Sequence, residues 1–452
     1  MKRLLLLLFA VFAFAVLRAA ESKRPNILLI VSDDQGYADA GFQGCKDIPT
    51  PHLDELARGG VVFTQGYVSH PFCSPTRAGL MTGRYQHRFG HENNPFYDPA
   101  DRREGLPVAE KLLPEYLRAA GYVTGWVGKW HLGAAPEFRP ERRGFAETFG
   151  FIGGGHRFQN WTANPAVEYM VPLERNGVAV AVSGHLTGVL GREAADFVRR
   201  HAAAPWFLYL AFNAPHTPHE PTAERLAQFA AIADPKRRAY AAQVSLLDDA
   251  IGETLAALRA SGQAERTLVF FFSDNGGPIA VNGSLNTPLR DGKGSVYEGG
   301  VRVPFVLRWP AALPAGARSA AAVSALDVFA TALAAAGAPM PADRVRDSVD
   351  LVPFITGAKT GAPHERLFWR AQRGQRAVRD AEGWKLVRQD GRADELYHLS
   401  ADPGEDMNLA AREPDRVRAL AADLAAWERE LVPPAFPGAT ARAAAKAAKK
   451  KN

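Results

Sequence analysis

Four short apolar runs, each ending in residues able to do chemistry, constrain this chain more than any other feature. Asn26-Ile27-Leu28-Leu29-Ile30-Val31 leads into Ser32-Asp33-Asp34-Gln35-Gly36, and Thr267-Leu268-Val269-Phe270-Phe271-Phe272 into Ser273-Asp274-Asn275-Gly276-Gly277. Trp206-Phe207-Leu208-Tyr209-Leu210-Ala211-Phe212 ends in Asn213-Ala214-Pro215-His216, and Tyr122-Val123-Thr124-Gly125-Trp126-Val127 in Gly128-Lys129-Trp130-His131. Continuous runs of this length, rich in β-branched and aromatic residues, predict strands buried on both faces. Helical stretches alternate with them, from Thr50 to Gly59, Val108 to Ala120, Gly191 to His201, Tyr240 to Ala260 and Ala325 to Ala336. The alternation predicts an α/β fold, a mainly parallel sheet with helices on both faces. Ligands of such sheets bind outside the carboxyl ends of the strands, so these four distant endings are expected to converge.

The texture changes near residue 360. Leu367-Phe368-Trp369-Arg370, Gln375-Arg376-Ala377-Val378-Arg379, Trp384-Lys385-Leu386-Val387 and Glu395-Leu396-Tyr397-His398-Leu399 are short runs parted by turn signals such as Gln389-Asp390-Gly391. They predict a small antiparallel sheet, followed by a helix from Pro414 to Leu431. The expected units are a leader at 1–20, a main domain at 21–360, a C-terminal subdomain at 361–435 and a basic, disordered tail at 436–452.

Charge excludes one class of partner. The 452 residues carry a net +6, but Lys2, Arg3 and Arg18 lie in the leader, and Arg442, Lys446, Lys449, Lys450 and Lys451 in the tail. Setting these eight aside leaves 46 of the 54 basic residues against 48 acids, a net of −2. A body near neutrality has no field for nucleic acid, and an anionic substrate must be drawn by local placement. Met1-Lys2-Arg3, the apolar run Leu4 to Leu17 and Arg18-Ala19-Ala20 have the parts of a secretory signal, too short for a membrane span. The expectation is an exported protein, periplasmic or secreted, with no stable membrane partner. Cys45 and Cys73 are the two cysteines, enough for one disulfide in an exported chain.

Asp33, Asp34, Asp274 and Asn275 put three carboxylates and an amide at two strand ends. Clustered carboxylates need a cation, and oxygen ligands favour calcium or magnesium. The plain alternative is that these are turn and cap residues. In Cys73-Ser74-Pro75-Thr76-Arg77 a thiol precedes a proline suited to a first helical turn. A helix starting there brings Arg77 back to the face of Cys73 one turn later, at the positive end of the macrodipole. That is an anion site beside a reactive side chain; the alternative is a buried free cysteine ahead of a helix.

The pentapeptide, with Leu80-Met81-Thr82-Gly83-Arg84 after it, resembles the Cys-x-Pro-x-Arg signature of the type I sulfatases, whose cysteine is oxidised to formylglycine. Gly121 to His131 is similar to their second signature, and Leu289 to Gly294 with Tyr297 to Pro304 to their last block. The resemblance spans Pro25 to Leu409. It implies an alkaline-phosphatase-like fold and a sulfatase acting on an aryl sulfate or, in an exported protein, a sulfated carbohydrate. It implies one calcium held by Asp33, Asp34, Asp274, Asn275 and the modified Cys73, and a formylglycine-generating maturation enzyme as partner. It further implies that a hydroxyl of hydrated formylglycine attacks sulfur, with Arg77, Lys129 and Lys293 on the sulfate oxygens. His216 and Lys293 then protonate the leaving oxygen, and His131 takes the proton that lets sulfate depart. Glu298 and Arg302, four apart, read as a structural pair, and His219 as a residue that shapes the pocket. Sugar contacts are expected from loops, with His91, Asn93, His156 and Arg157 as candidates. Two other classes fit the same residues: a formylglycine-dependent phosphoester or phosphonate hydrolase, and a non-catalytic binder of sulfated glycans.

Overall fold

A computed structural model describes residues 24–438; the expected leader and the tail from residue 439 onward lie outside them. The main sheet is built from β1 (Asn26–Ser32), β2 (Val61–Tyr67), β3 (Val123–Lys129), β4 (Glu147–Phe151), β5 (Trp206–Ala211), β6 (Thr267–Ser273), β7 (Phe305–Arg308) and β8 (Ala317–Ser324). They lie in the order β8-β2-β7-β6-β1-β5-β3-β4, with a short hairpin of 174–179 beyond β4. The block β6-β1-β5-β3-β4 is parallel throughout, and β7 is the antiparallel strand that joins it to β2.

The unbroken apolar runs follow from burial on both faces. Ile27, Leu29 and Val31 of β1 enter one core, and Leu28 and Ile30 the other. The first core is closed by α2 (Cys73–Thr82), α3 (Leu113–Ala119) and α6 (Asp327–Ala335), the second by α1 (Pro51–Arg58), α4 (Leu186–Arg200) and α5 (Pro235–Ala260).

Three helix starts differ from expectation by five residues, and the last helix ends at Glu428 rather than Leu431. Residues 108–112 are not helical: α3 starts at Leu113, where Pro114 is tolerated only in a first turn and Glu115 accepts from the Leu112 amide at 2.7 Å. Helix α4 begins at Leu186, five residues early, and its Gly191 lets α5 approach; a Cβ there would lie 2.9 Å from Ala250. Helix α5 begins at Pro235, capped by Asp234 onto the Lys236 amide at 3.0 Å.

The expected antiparallel sheet is β9 (Arg366–Ala371), β10 (Gln375–Asp380), β11 (Trp384–Gln389) and β12 (Glu395–His398), in sequential order. One face packs on α7 (Pro414–Glu428) through Val378, Leu386, Leu396, Leu420, Leu424 and Trp427. The other joins the first core, where Trp369 donates to the Val68 carbonyl at 2.8 Å. Lys385, fully buried, bridges Glu298 at 2.8 Å and Glu405 at 2.9 Å, and Glu298 also meets Arg302 at 3.3 Å. No disulfide forms: Cys45 is half-exposed and bonds Asp47, whereas Cys73 is buried. Among the described residues no helix is long and apolar enough to cross a membrane.

Candidate active site

Strand register brings the acidic residues together. Ser32 pairs with Ser273 at the ends of β1 and β6, so Asp33-Asp34 and Asp274-Asn275 leave the sheet side by side. Asp34 is left-handed at φ 65, a conformation Asp tolerates better than most residues. All four side chains are buried. One ligand atom from each of Asp33, Asp34, Asp274 and Cys73 lies within 4.8 Å of the others. The Asn275 amide nitrogen donates to Asp34 Oδ1 at 2.7 Å and to the Gly276 carbonyl at 3.0 Å, which leaves its buried Oδ1 without a partner. A buried acceptor left unpaired beside three carboxylates is what a hard cation would complete, so the donor set fits calcium or magnesium.

Three cations interleave with the three carboxylates. Arg77 sits one turn into α2 and donates from Nε and Nη2 to Asp274 Oδ2 at 2.9 and 2.7 Å, and from Nη1 to the Tyr209 hydroxyl at 3.1 Å. Lys129, the last residue of β3, meets Asp33 Oδ2 at 2.6 Å. Lys293 arrives on a loop whose Gly294 amide bonds the Pro71 carbonyl at 2.9 Å, and its Nζ lies 2.6 Å from Asp34 and 3.2 Å from Cys73 Sγ. Burial opposes charge on both lysines, but Asp33 beside Lys129 and Asp34 beside Lys293 outweigh it and raise both. Burial pushes the Cys73 thiol up to about 12, despite these lysines, so as a thiol it stays protonated and unreactive.

The two histidines flank this cluster. His131 is left-handed at φ 59, and its carbonyl accepts from Ser74 Oγ at 2.5 Å. Burial, and then Lys129 and Arg77, hold its imidazole well below the ordinary range, so it is neutral. His216 directs Nδ1 to the Thr217 carbonyl at 2.6 Å, and its Nε2 is 3.6 Å from Asp34 Oδ2. His219 bonds the Pro215 carbonyl at 3.1 Å and packs on Tyr240.

The loop candidates fare differently. His91 is buried against Phe436, with Nε2 2.7 Å from Ser74 Oγ. Asn93 donates to the Phe436 carbonyl at 2.8 Å and accepts from Gln372 at 2.8 Å. His156 is fully buried, its ring nitrogens on the carbonyls of Arg157 at 2.6 Å and Val171 at 2.9 Å. All three are buried, and Asn93 and His156 have their side-chain polar atoms bonded inside the fold, so the structure places none of them on an exposed loop surface. Arg157 pairs with Glu220 and keeps two-fifths of its side chain exposed. Sequence reasoning missed Tyr209 and Ser74, which hold Arg77 and His131. Ser74 lies inside the motif, so its place was open to inference; Tyr209 is one of several large residues in an apolar run, and nothing in the run marks it.

The sulfatase family profile matches residues 25–338, and the profile of the N-sulphoglucosamine sulphohydrolase C-terminal region matches residues 291–426. N-acetylgalactosamine-6-sulfatase of Canis lupus familiaris is 38% identical over 376 residues, covering 79% of this chain and 70% of the relative. Arylsulfatase A of Bos taurus is 36% identical, covering 86% and 84%. The crystal structure of Ps i-CgsB in complex with k-i-k-neocarrahexaose superposes with a TM-score of 0.88 at 36% identity, over 93% of this chain and 96% of that one.

Proposed function

Because the chain belongs to the sulfatase family and is a sulfuric ester hydrolase, we propose that it cleaves sulfate from a sulfated saccharide at Cys73, matured to formylglycine. The observation that carries the reading is the position of Cys73 Sγ, 3.6 Å from Asp33 and 3.2 Å from Lys293 at the N-terminus of α2. A buried thiol that holds its proton is no nucleophile, which supports chemical conversion of this side chain before it acts. Relatives point to the substrate class: one is named N-acetylgalactosamine-6-sulfatase, another was crystallised in complex with k-i-k-neocarrahexaose. The leader-like N-terminus supports export to the periplasm or beyond.

Formylglycine supplies the nucleophile, and a calcium held by Asp33, Asp34, Asp274 and Asn275 supplies a fixed positive charge beside it. The chain's own residues do the rest. Arg77, Lys129 and Lys293 are fixed by carboxylates before substrate arrives, so they meet the sulfate oxygens without reorganising. Lys293 holds a proton at Nζ and can give it to the departing sugar oxygen, and His216, whose Nδ1 is held on the Thr217 carbonyl, can do so from Nε2 only once it carries a second proton. His131, held neutral, accepts the proton released when sulfate is expelled.

Mass spectrometry of the Cys73 peptide from the native host tests the reading, together with turnover of an aryl sulfate, an aryl phosphate, N-acetylgalactosamine 6-sulfate and carrageenan oligosaccharides. The expected result is an aldehyde at position 73, sulfate release from at least one saccharide, and loss of all turnover in folded Cys73→Ala. An intact thiol in active protein overturns the assignment of Cys73, and preference for the phosphate overturns the substrate class.

A further inference from the structure

One half-buried aromatic residue faces this site with its polar atom unclaimed. The loop after β4 carries Gly153-Gly154-Gly155 and, further on, Tyr169. A Cβ at residue 154 would lie 2.7 Å from His131 Nε2, and one at 155 would lie 2.7 Å from Tyr169 Cε1. Bare backbone is therefore what separates His131 from the Tyr169 ring. The same ring meets His216 edge to face, with centroids 5.8 Å apart. Its hydroxyl makes no hydrogen bond among the described residues. The loop is anchored rather than loose: the Tyr169 carbonyl accepts from the Arg157 amide at 3.0 Å, and Glu220 holds Arg157 Nε at 2.7 Å and the Phe158 amide at 2.8 Å.

We propose that Tyr169 is a specificity-determining residue, the wall against which the sugar ring bearing the sulfate rests. This rests on the saccharide reading of the site. A pyranose has a C–H face that packs on an aromatic ring, and hydroxyls that a phenol can bond. Tyr169 offers both in one rigid side chain, at the edge of the proton-transfer histidine His216. His91, Asn93 and His156 are buried and present no such face.

Tyr169→Phe and Tyr169→Ala, assayed on 4-nitrophenyl sulfate and on the best saccharide of the panel, test the proposal. Tyr169→Phe keeps the ring and its packing, so it guards against a variant that fails to fold. The ratio of kcat/KM on the saccharide to that on the aryl sulfate is expected to fall about tenfold in Tyr169→Phe, through KM, because a hydrogen bond the aryl ester does not make is lost. It falls further in Tyr169→Ala. An unchanged ratio in both variants overturns the role of Tyr169. Wild-type protein that cleaves the aryl sulfate and no saccharide overturns the saccharide reading, and the role with it.

Discussion

Replacing Arg77 separates what it does for folding from what it does for anions. Its guanidinium is fully buried and donates twice to Asp274 Oδ2, at 2.7 and 2.9 Å, with Asp33 a further neighbour at 3.9 Å. Arg77→Met keeps the apolar stem and removes the charge, which leaves Asp274 buried beside Asp33 with less compensation. Stripping one partner from a buried pair costs about 3–5 kcal/mol, mostly from the stranded charge. Asp274→Asn on that background removes the stranded charge while keeping an oxygen for the Asp34 amide, so most of the loss is expected to return. Activity is not expected to return, because the double variant lacks both an anion-binding cation and a metal-binding carboxylate. Urea unfolding of chelator-treated protein reads the first effect, and 4-nitrophenyl sulfate turnover of metal-loaded protein the second. The reasoning is refuted if Arg77→Met costs under about 1 kcal/mol, or if the double variant loses as much as the two single variants together.

Asn275→Ala removes the unpaired amide oxygen together with the buried donor to Asp34, so calcium affinity by titration calorimetry is expected to drop at least tenfold and the apo melting temperature to fall as well; unchanged affinity removes Asn275 from the ligand set. Trp369→Ala empties a buried site between the two sheets and strands the Val68 carbonyl, so urea unfolding should show a loss of about 3–5 kcal/mol; a loss under about 1 kcal/mol contradicts tight packing there. Burial disfavours charge on His364, but Asp327 at 2.8 Å outweighs it and raises its pKa above the ordinary value. Its contribution is then full below pH 6.5 and fades as pH rises through the raised value, so His364→Ala should cost more at pH 6 than at pH 9; equal cost at both refutes the ion pair.

How much of this was legible from the residues depended on burial. The strands that carry the candidate site lie in the middle of the sheet, and two-sided burial writes an unbroken apolar run. Strand β2 holds half-buried Thr64 and Gln65, and β8 is an alanine-rich edge strand open to solvent, so neither leaves such a run. Strand β7 covers four residues and runs against its neighbours, a direction that alternation of strand and helix does not encode. Asp33, Asp34, Asp274 and Asn275 stand out because they directly follow buried strands, and Lys129 because it closes one. The burial of His156 is not legible for the opposite reason: whether a loop histidine faces solvent or two backbone carbonyls is decided by tertiary neighbours such as Val171, fifteen residues on.

Charge balance explains why so polar a cluster can be buried. Asp33, Asp34 and Asp274 carry three negative charges, and Arg77, Lys129 and Lys293 three positive ones, each pair in contact. The apo centre is therefore neutral overall, and its burial does not strand a net charge. A divalent cation on the carboxylates turns the same centre net positive, and a sulfate ester, singly charged, then restores part of the balance. On this reading a metal would convert a self-neutralised cluster into one with affinity for anions. It also fits a nearly neutral protein body: attraction for the substrate would reside in six side chains at the ends of three strands, on α2 and on the loop of Lys293, not in the surface field.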